Sequence, residues 1–167
     1  MLSTNIYCYL LCCIVVYVAS LLPAKACQCK ELKKLGKVEL VNAESVFIGR
    51  VVSIDSTDNW HKIIVFEVLD NLKKDGRKKI SVSTGYGMGD CGLPIKTEQE
   101  WYIFTQIIEG KASATICGRS ILLNDSIASL GNRYGYDDFM LEKHSDNIAR
   151  VAAEIKYIRK KYLTRTP

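Results

Sequence analysis

Proline and histidine are scarce in this chain, with three and two residues among 167, and its mean hydropathy is close to zero. With charged residues at 25% beside a hydrophobic share of 48%, that balance excludes a disordered chain, a collagen and a polytopic membrane protein. The two histidines, His61 and His144, stand in no partner motif, which removes a Cys/His catalytic pair. No internal repeat and no low-complexity linker interrupts the sequence. Its length therefore holds one domain, or one domain and a targeting segment. No acid/base or nucleophile constellation is present either, so neither an enzyme nor a cofactor is expected.

What the chain does have is cysteine, seven in all, an unusual and odd number for its size. Cys8, Cys12 and Cys13 lie in an apolar, charge-free run from Ile6 to Leu22, followed by Pro23-Ala24-Lys25-Ala26. Small residues at 24 and 26 satisfy the A-x-A rule, so residues 1–26 are expected to be a signal peptide and Cys27 the mature N-terminus of a secreted, extracellular protein. Two alternatives stand beside this. The run could remain as an uncleaved membrane anchor, since roughly 17 apolar residues sit at the lower limit of a bilayer span. Or Cys27 could be lipidated, as in a bacterial lipoprotein, which would consume both its thiol and its amine.

The charge balance is mildly basic, at +5. Nucleic-acid binding would show a clustered basic stripe with aromatic platforms, and none is present, so no nucleic-acid partner is expected. The one dense run is Lys73-Lys74-Asp75-Gly76-Arg77-Lys78-Lys79. Its Asp-Gly core between alternating segments predicts a hairpin-like turn of solvated lysines. Lys73, Lys74, Arg77, Lys78 and Lys79 are also the candidate contact for an anionic polysaccharide or a membrane surface.

Residues 31–41 show a loose helical face broken by Gly36. From Ser45 the period changes to two. Val46, Ile48, Val52 and Ile54 form the first alternating set, and Gly49 within it predicts a bulge. Ile64, Phe66 and Val68 form the second, Ile80, Val82 and Thr84 the third, Trp101, Ile103, Thr105 and Ile107 the fourth. A short fifth strand is expected near residues 112–117. Five strands with short turns and one Gly-rich connection predict a mainly β protein, a small five-stranded barrel. A helical stripe of Ile148, Val151, Ile155, Ile158 and Tyr162 predicts a C-terminal α-helix, capped at Ser145 or Asp146, with Arg159, Lys160 and Lys161 near its end. The stripe is expected to pack on the barrel, leaving a monomer; a coiled-coil dimer would use the same residues.

Four cysteines remain after the signal peptide: Cys27, Cys29, Cys91 and Cys117. Closing Cys27 onto Cys29 would make a strained small ring, so two long-range bridges are expected, in either of two pairings. Such loops contribute roughly 4 kcal/mol each in the chain-entropy account. A four-cysteine zinc site is the competing reading, but it lacks the paired knuckles of structural sites. There is no Cys-x-x-Cys among the four, which argues against a redox role.

These residues resemble the netrin-like domains and, within them, the tissue inhibitors of metalloproteinases. The resemblance rests on Cys27-Gln28-Cys29, on Ser45-Val46-Phe47-Ile48-Gly49-Arg50-Val51, on Cys91-Gly92 followed by Trp101-Tyr102-Ile103, and on Cys117, and it covers residues 27–123. It implies an OB-fold barrel, with residues 124–167 as a helical C-terminal extension. It also implies the pairing Cys27–Cys91 and Cys29–Cys117. In that family the first residue's α-amine and carbonyl chelate the catalytic zinc of a metalloproteinase. Carried over, Cys27 is the chelator, Gln28 enters the specificity pocket, and Cys29 and the Cys91 loop support them.

The sequence departs from the family in several ways, among them a short hairpin around Asp55 to Trp60 that leaves no long loop for contacts. Gln28 replaces a small hydroxyl residue, a third disulfide is missing, and so is a cysteine-rich second domain. A non-inhibitory extracellular or envelope-attached interaction module is the alternative, because the fold alone does not imply inhibition. Gly87, Gly89 and Gly92 match G-x-G-x-x-G, but Pro94 follows and no helix opens there, so the segment is expected to be a loop delivering Cys91. Asn124-Asp125-Ser126 is a candidate N-glycosylation sequon.

Overall fold

The computed structural model describes residues 29–56, 60–73, 76–87, 90–124 and 138–163. After an irregular stretch come the short helix α1 (Lys37–Asn42) and seven strands: β1 (Val46–Ser56), β2 (Lys62–Asn71), β3 (Lys79–Thr84), β4 (Glu100–Phe104), β5 (Gln106–Ile108), β6 (Lys111–Ser113) and β7 (Ile121–Leu122). The long helix α2 (Asp138–Leu163) follows. The strands form one curled mixed sheet in the order β5-β6-β3-β2-β1-β4-β7, antiparallel throughout except for the β3–β6 pair. The protein is thus mainly β with a C-terminal helix. Among the described residues no helix is long and apolar enough to cross a membrane.

The β1–β2 register slips between Ile48 and Gly49, next to the expected bulge, but the extra residue there is Leu69 of β2. A second slip between Val51 and Ser53 leaves Val52 unpaired. This corrects the expected strand face. Phe47 and Val51, not Ile48 and Val52, point into the inner core, and Val52 is 45% exposed. The extra residue Val52 exchanges the faces of β1 beyond it, so parity read across that bulge fails. Gly49 lies between Phe47 and Val51, where a Cβ would come within 2.8 Å of the Phe47 ring and 3.0 Å of the Glu67 carbonyl oxygen. The Phe47 ring uses that room to meet Phe66 edge-on at 5.5 Å.

The sheet carries a core on each face. Phe47, Ile64, Phe66, Val82, Trp101 and Ile103 belong to the inner one. Leu40, Val46, Tyr102, Phe104, Val151 and Ile158 belong to the outer one, where α1 and α2 cover β4. The expected helical stripe therefore packs on the sheet: Val151 and Ile158 are buried, and Ile148, Ile155 and Tyr162 pack against them. That face is covered within the chain. The helix starts seven residues earlier than its expected cap, because residues 138–144 contain no Gly or Pro to stop it; Ser145 and Asp146 lie inside the helix, exposed.

Seven strands replace the expected five. The fourth alternating set divides at Thr105, where β4 ends and β5 begins. The fully buried Thr105 hydroxyl donates to the Ser45 carbonyl (3.2 Å), accepts the Ser45 N–H (2.9 Å) and meets the Ser45 hydroxyl (2.8 Å). This polar knot satisfies the backbone where the chain leaves one partner for another. Beyond it Ile107 is 54% exposed rather than part of the inner face. The short β7 on the far side of β4 has too few residues for a period to reveal it.

Candidate functional site

Cys29 and Cys117 are joined by a disulfide, 88 positions apart in sequence with their Cα atoms 4.8 Å apart. Cys91 is disulfide-bonded as well. Cys27, the partner that the resemblance implies for it, lies outside the described residues, as does Gln28. The turn carrying Cys117 is tied to the loop carrying Cys91, because the Ile116 N–H donates to the Cys91 carbonyl at 2.9 Å. Cys29, Cys91 and Cys117 therefore meet at one end of the sheet. Sulfurs joined in a disulfide are not thiolate ligands, which removes the four-cysteine zinc alternative. Among the described residues no group of three or more His, Cys, Asp or Glu is arranged to hold a metal.

The Cys91 loop is built around one carboxylate. Asp90 accepts the backbone N–H groups of Tyr86 (2.6 Å), Gly87 (2.7 Å) and Gly92 (3.0 Å). Desolvation by the loop pushes the Asp90 carboxyl up, but these donors outweigh it and hold it below the ordinary carboxylate range. Cys91 itself has φ of +57°, a left-handed conformation that costs a non-glycine residue energy and needs such support. Gly92 follows because a Cβ there would overlap the Gly85 backbone. The chain then re-enters the core at Leu93, whose N–H donates to the Thr84 hydroxyl at 2.9 Å. Under the loop lies Lys62, 6% exposed, with its ammonium 5.9 Å from the centre of the Tyr86 ring. Burial pushes that ammonium's pKa down, against the attraction of Asp90. The Tyr86 hydroxyl in turn bonds the Ser56 hydroxyl.

Two residues past Cys117 stands Arg119, 3% exposed. Its Nε and Nη2 donate to the two Glu39 carboxylate oxygens at 2.6 and 2.7 Å. Nη2 also donates to the Lys33 carbonyl at 2.7 Å, and Nη1 to Glu154 at 2.5 Å. Glu154, 5% exposed, further accepts Arg150 at 2.8 Å and the Tyr102 hydroxyl at 3.1 Å. Burial, and then the Glu154 carboxylate, keep the Tyr102 phenol protonated far above its usual range. The segment after Cys29 is thus held twice: covalently at Cys29 and through the Lys33 carbonyl by a buried guanidinium. Sequence reasoning missed this cluster. Its one signal was Glu154, a charged residue three after Val151 and four before Ile158 in the apolar stripe.

The basic run is described in part. Lys73 donates to the carbonyls of Val41 and Ala43, and Arg77 pairs with Glu44 at 3.5 Å, while Lys78 and Lys79 are exposed. Lys74 lies outside the described residues. His61 is exposed just before β2. Asn124 is exposed, with its amide oxygen accepting the Glu100 N–H at 2.9 Å. No protein-family model matches the chain, and no curated protein matches it.

Proposed function

We propose that this chain is a secreted, netrin-like inhibitor of zinc metalloproteinases that acts through the α-amine and carbonyl of Cys27. The observation that carries the reading is the convergence of Cys29, Cys117 and the Cys91 loop at one end of the sheet. A residue two positions before Cys29 would then start from a strapped, rigid base. Such preorganisation lowers the ordering cost of binding, which is what a chelating chain terminus needs.

The strand order supports the finer fold assignment. We infer that β4 and β5 are one strand bent at Thr105. Counting them so, β1 pairs with β2, β2 with β3, β3 in parallel with β6, β6 with the bent strand, and that strand again with β1. On that inference the circuit would close on itself with five members, as an OB barrel does, with α2 as an extension packed on its outside.

In the proposed chemistry the neutral Cys27 amine and its carbonyl oxygen occupy the target's zinc and displace the water that the metal would activate. An amine with a reference pKa of about 7.7–8.0 loses a proton on binding, so inhibition weakens roughly tenfold per pH unit below that value. Gln28 fills the pocket beside the zinc and restricts which proteases admit it.

Intact mass and N-terminal sequencing of the exported protein come first, followed by titration against a panel of zinc proteases. A variant with one alanine added before Cys27 is the control. A free Cys27 amine and inhibition lost in the extended variant are expected. An acylated or uncleaved terminus, or equal potency of both forms, refutes the mechanism.

A further inference from the structure

Helix α1 buries Leu40 against the outer core and turns its opposite side to water. On that side Val38 and Val41, one turn apart, are 73% and 58% exposed. Single exposed valines need no explanation, but these two stand on a helix that a lysine-rich segment leads into. Lys30, Lys33, Lys34 and Lys37 are all exposed along the segment that leads into α1. Lys73 is drawn to the other end of the helix, where it donates to the carbonyls of Val41 and Ala43.

The acids nearby are already engaged. Glu39 holds Arg119 with both carboxylate oxygens, and Glu44 pairs with Arg77. Only Glu31 remains among the described acids of residues 29–44. The surface around α1 is therefore positive with a small apolar tip.

We propose that this face, Val38 and Val41 together with the exposed Lys33, Lys34 and Lys37 of the segment leading into α1 and with Lys73 at the helix end, docks on an anionic lipid bilayer. The two valines enter the boundary between headgroups and acyl chains. Lysine stems lie along the same boundary and deliver their ammonium groups to the phosphates and carboxylates. A soluble polyanion would use the lysines and leave both valines in water, and for that reason the lipid surface fits better. The proposal stands apart from protease inhibition, since it uses neither Cys27 nor Gln28.

The test is cosedimentation of the exported chain with two kinds of vesicle, phosphatidylcholine alone and phosphatidylcholine with about 30% phosphatidylserine. The neutral vesicles register whatever a retained Ile6–Leu22 run would contribute, so the difference between the two reports the proposed face. Binding that is stronger on anionic vesicles and falls with salt is expected. Each lysine near such a surface contributes roughly fivefold, so Lys34→Gln with Lys37→Gln should weaken anionic binding about 25-fold. Val38→Ser with Val41→Ser should weaken vesicle binding about tenfold or more while leaving retention on immobilised heparin unchanged. Lys78→Gln with Lys79→Gln should change nothing. All six positions are exposed, and unchanged urea midpoints would verify folding. Three results would each overturn the proposal: no difference between the vesicles, no effect of the valine pair, or an equal loss from the Lys78 and Lys79 pair.

Discussion

Replacing Arg119 by methionine removes a cation that touches the N-terminal segment, α1 and α2 at once. Methionine fills much of the volume of the arginine stem, so the change isolates the four hydrogen bonds of the guanidinium. Of its partners, Glu39 is 34% exposed and can rehydrate, a loss of about 1 kcal/mol. Glu154 is 5% exposed and keeps only Arg150 and the Tyr102 hydroxyl. Breaking a buried ion pair from one side costs about 3–5 kcal/mol, because a charge is left behind with too little compensation.

The same reasoning dictates a double variant. Arg119→Met with Glu154→Met removes both buried charges, so its cost should be no larger than that of Arg119→Met alone. That corresponds to a coupling of about 2 kcal/mol or more. Urea unfolding followed by tryptophan fluorescence measures it, since Trp101 is 4% exposed within the inner core. A loss below about 1 kcal/mol in Arg119→Met at unchanged m-value would refute the reasoning, as would a double variant whose cost is the sum of the two singles.

Three further outcomes are expected. Replacing Cys29 and Cys117 together by serine should cost about 2–5 kcal/mol, read as a lower urea midpoint, because the bridge closes a loop of 88 positions. Tyr102 has a folded pKa raised above its unfolded value, so its contribution is complete below pH about 10 and lost as pH rises beyond. Tyr102→Phe should therefore flatten the alkaline decline in stability between pH 9 and 11, at a cost of about 1 kcal/mol at neutrality. Asp90 has a folded pKa below its unfolded value, so its contribution is present above pH about 4 and lost as pH falls through the folded pKa. An Asp90→Asn variant should show a shallower acid decline than the parent; an identical acid profile for the two would discount the loop carboxylate.

Much of the fold was legible because burial imposes periods that do not depend on distant contacts. The sets Ile64-Phe66 and Ile80-Val82 keep a strict alternation and lie in β2 and β3. The Ile148 to Tyr162 stripe keeps helical spacing and covers the outer core. Where reading failed, a local irregularity intervened. The bulge at Val52 exchanged the faces of β1, and Thr105 ended β4 although the alternation ran on through Ile107. In both cases the deciding interaction comes from elsewhere in the chain, Val65 and Phe66 of β2 in one and Ser45, just before β1, in the other.

The candidate site divides in the same way. Cysteine content and spacing already pointed to long bridges, since a thiol's chemistry is carried by the residue itself. That Cys29 reaches Cys117, and that the Ile116 N–H brings the Cys91 loop to the same end, depends on the β3–β6 parallel pairing and the folding back of the chain around it. The Arg119 cluster lies wholly on the tertiary side. Glu39, Tyr102, Arg119 and Glu154 share no spacing in sequence; only packing α1 and α2 over β4 brings them within hydrogen-bond reach and removes the water that would otherwise separate them. Sequence alone determined which segments could bury an apolar face and which residues could cross-link. Tertiary structure decided which of them meet, because partner choice is set by contacts between residues far apart along the chain.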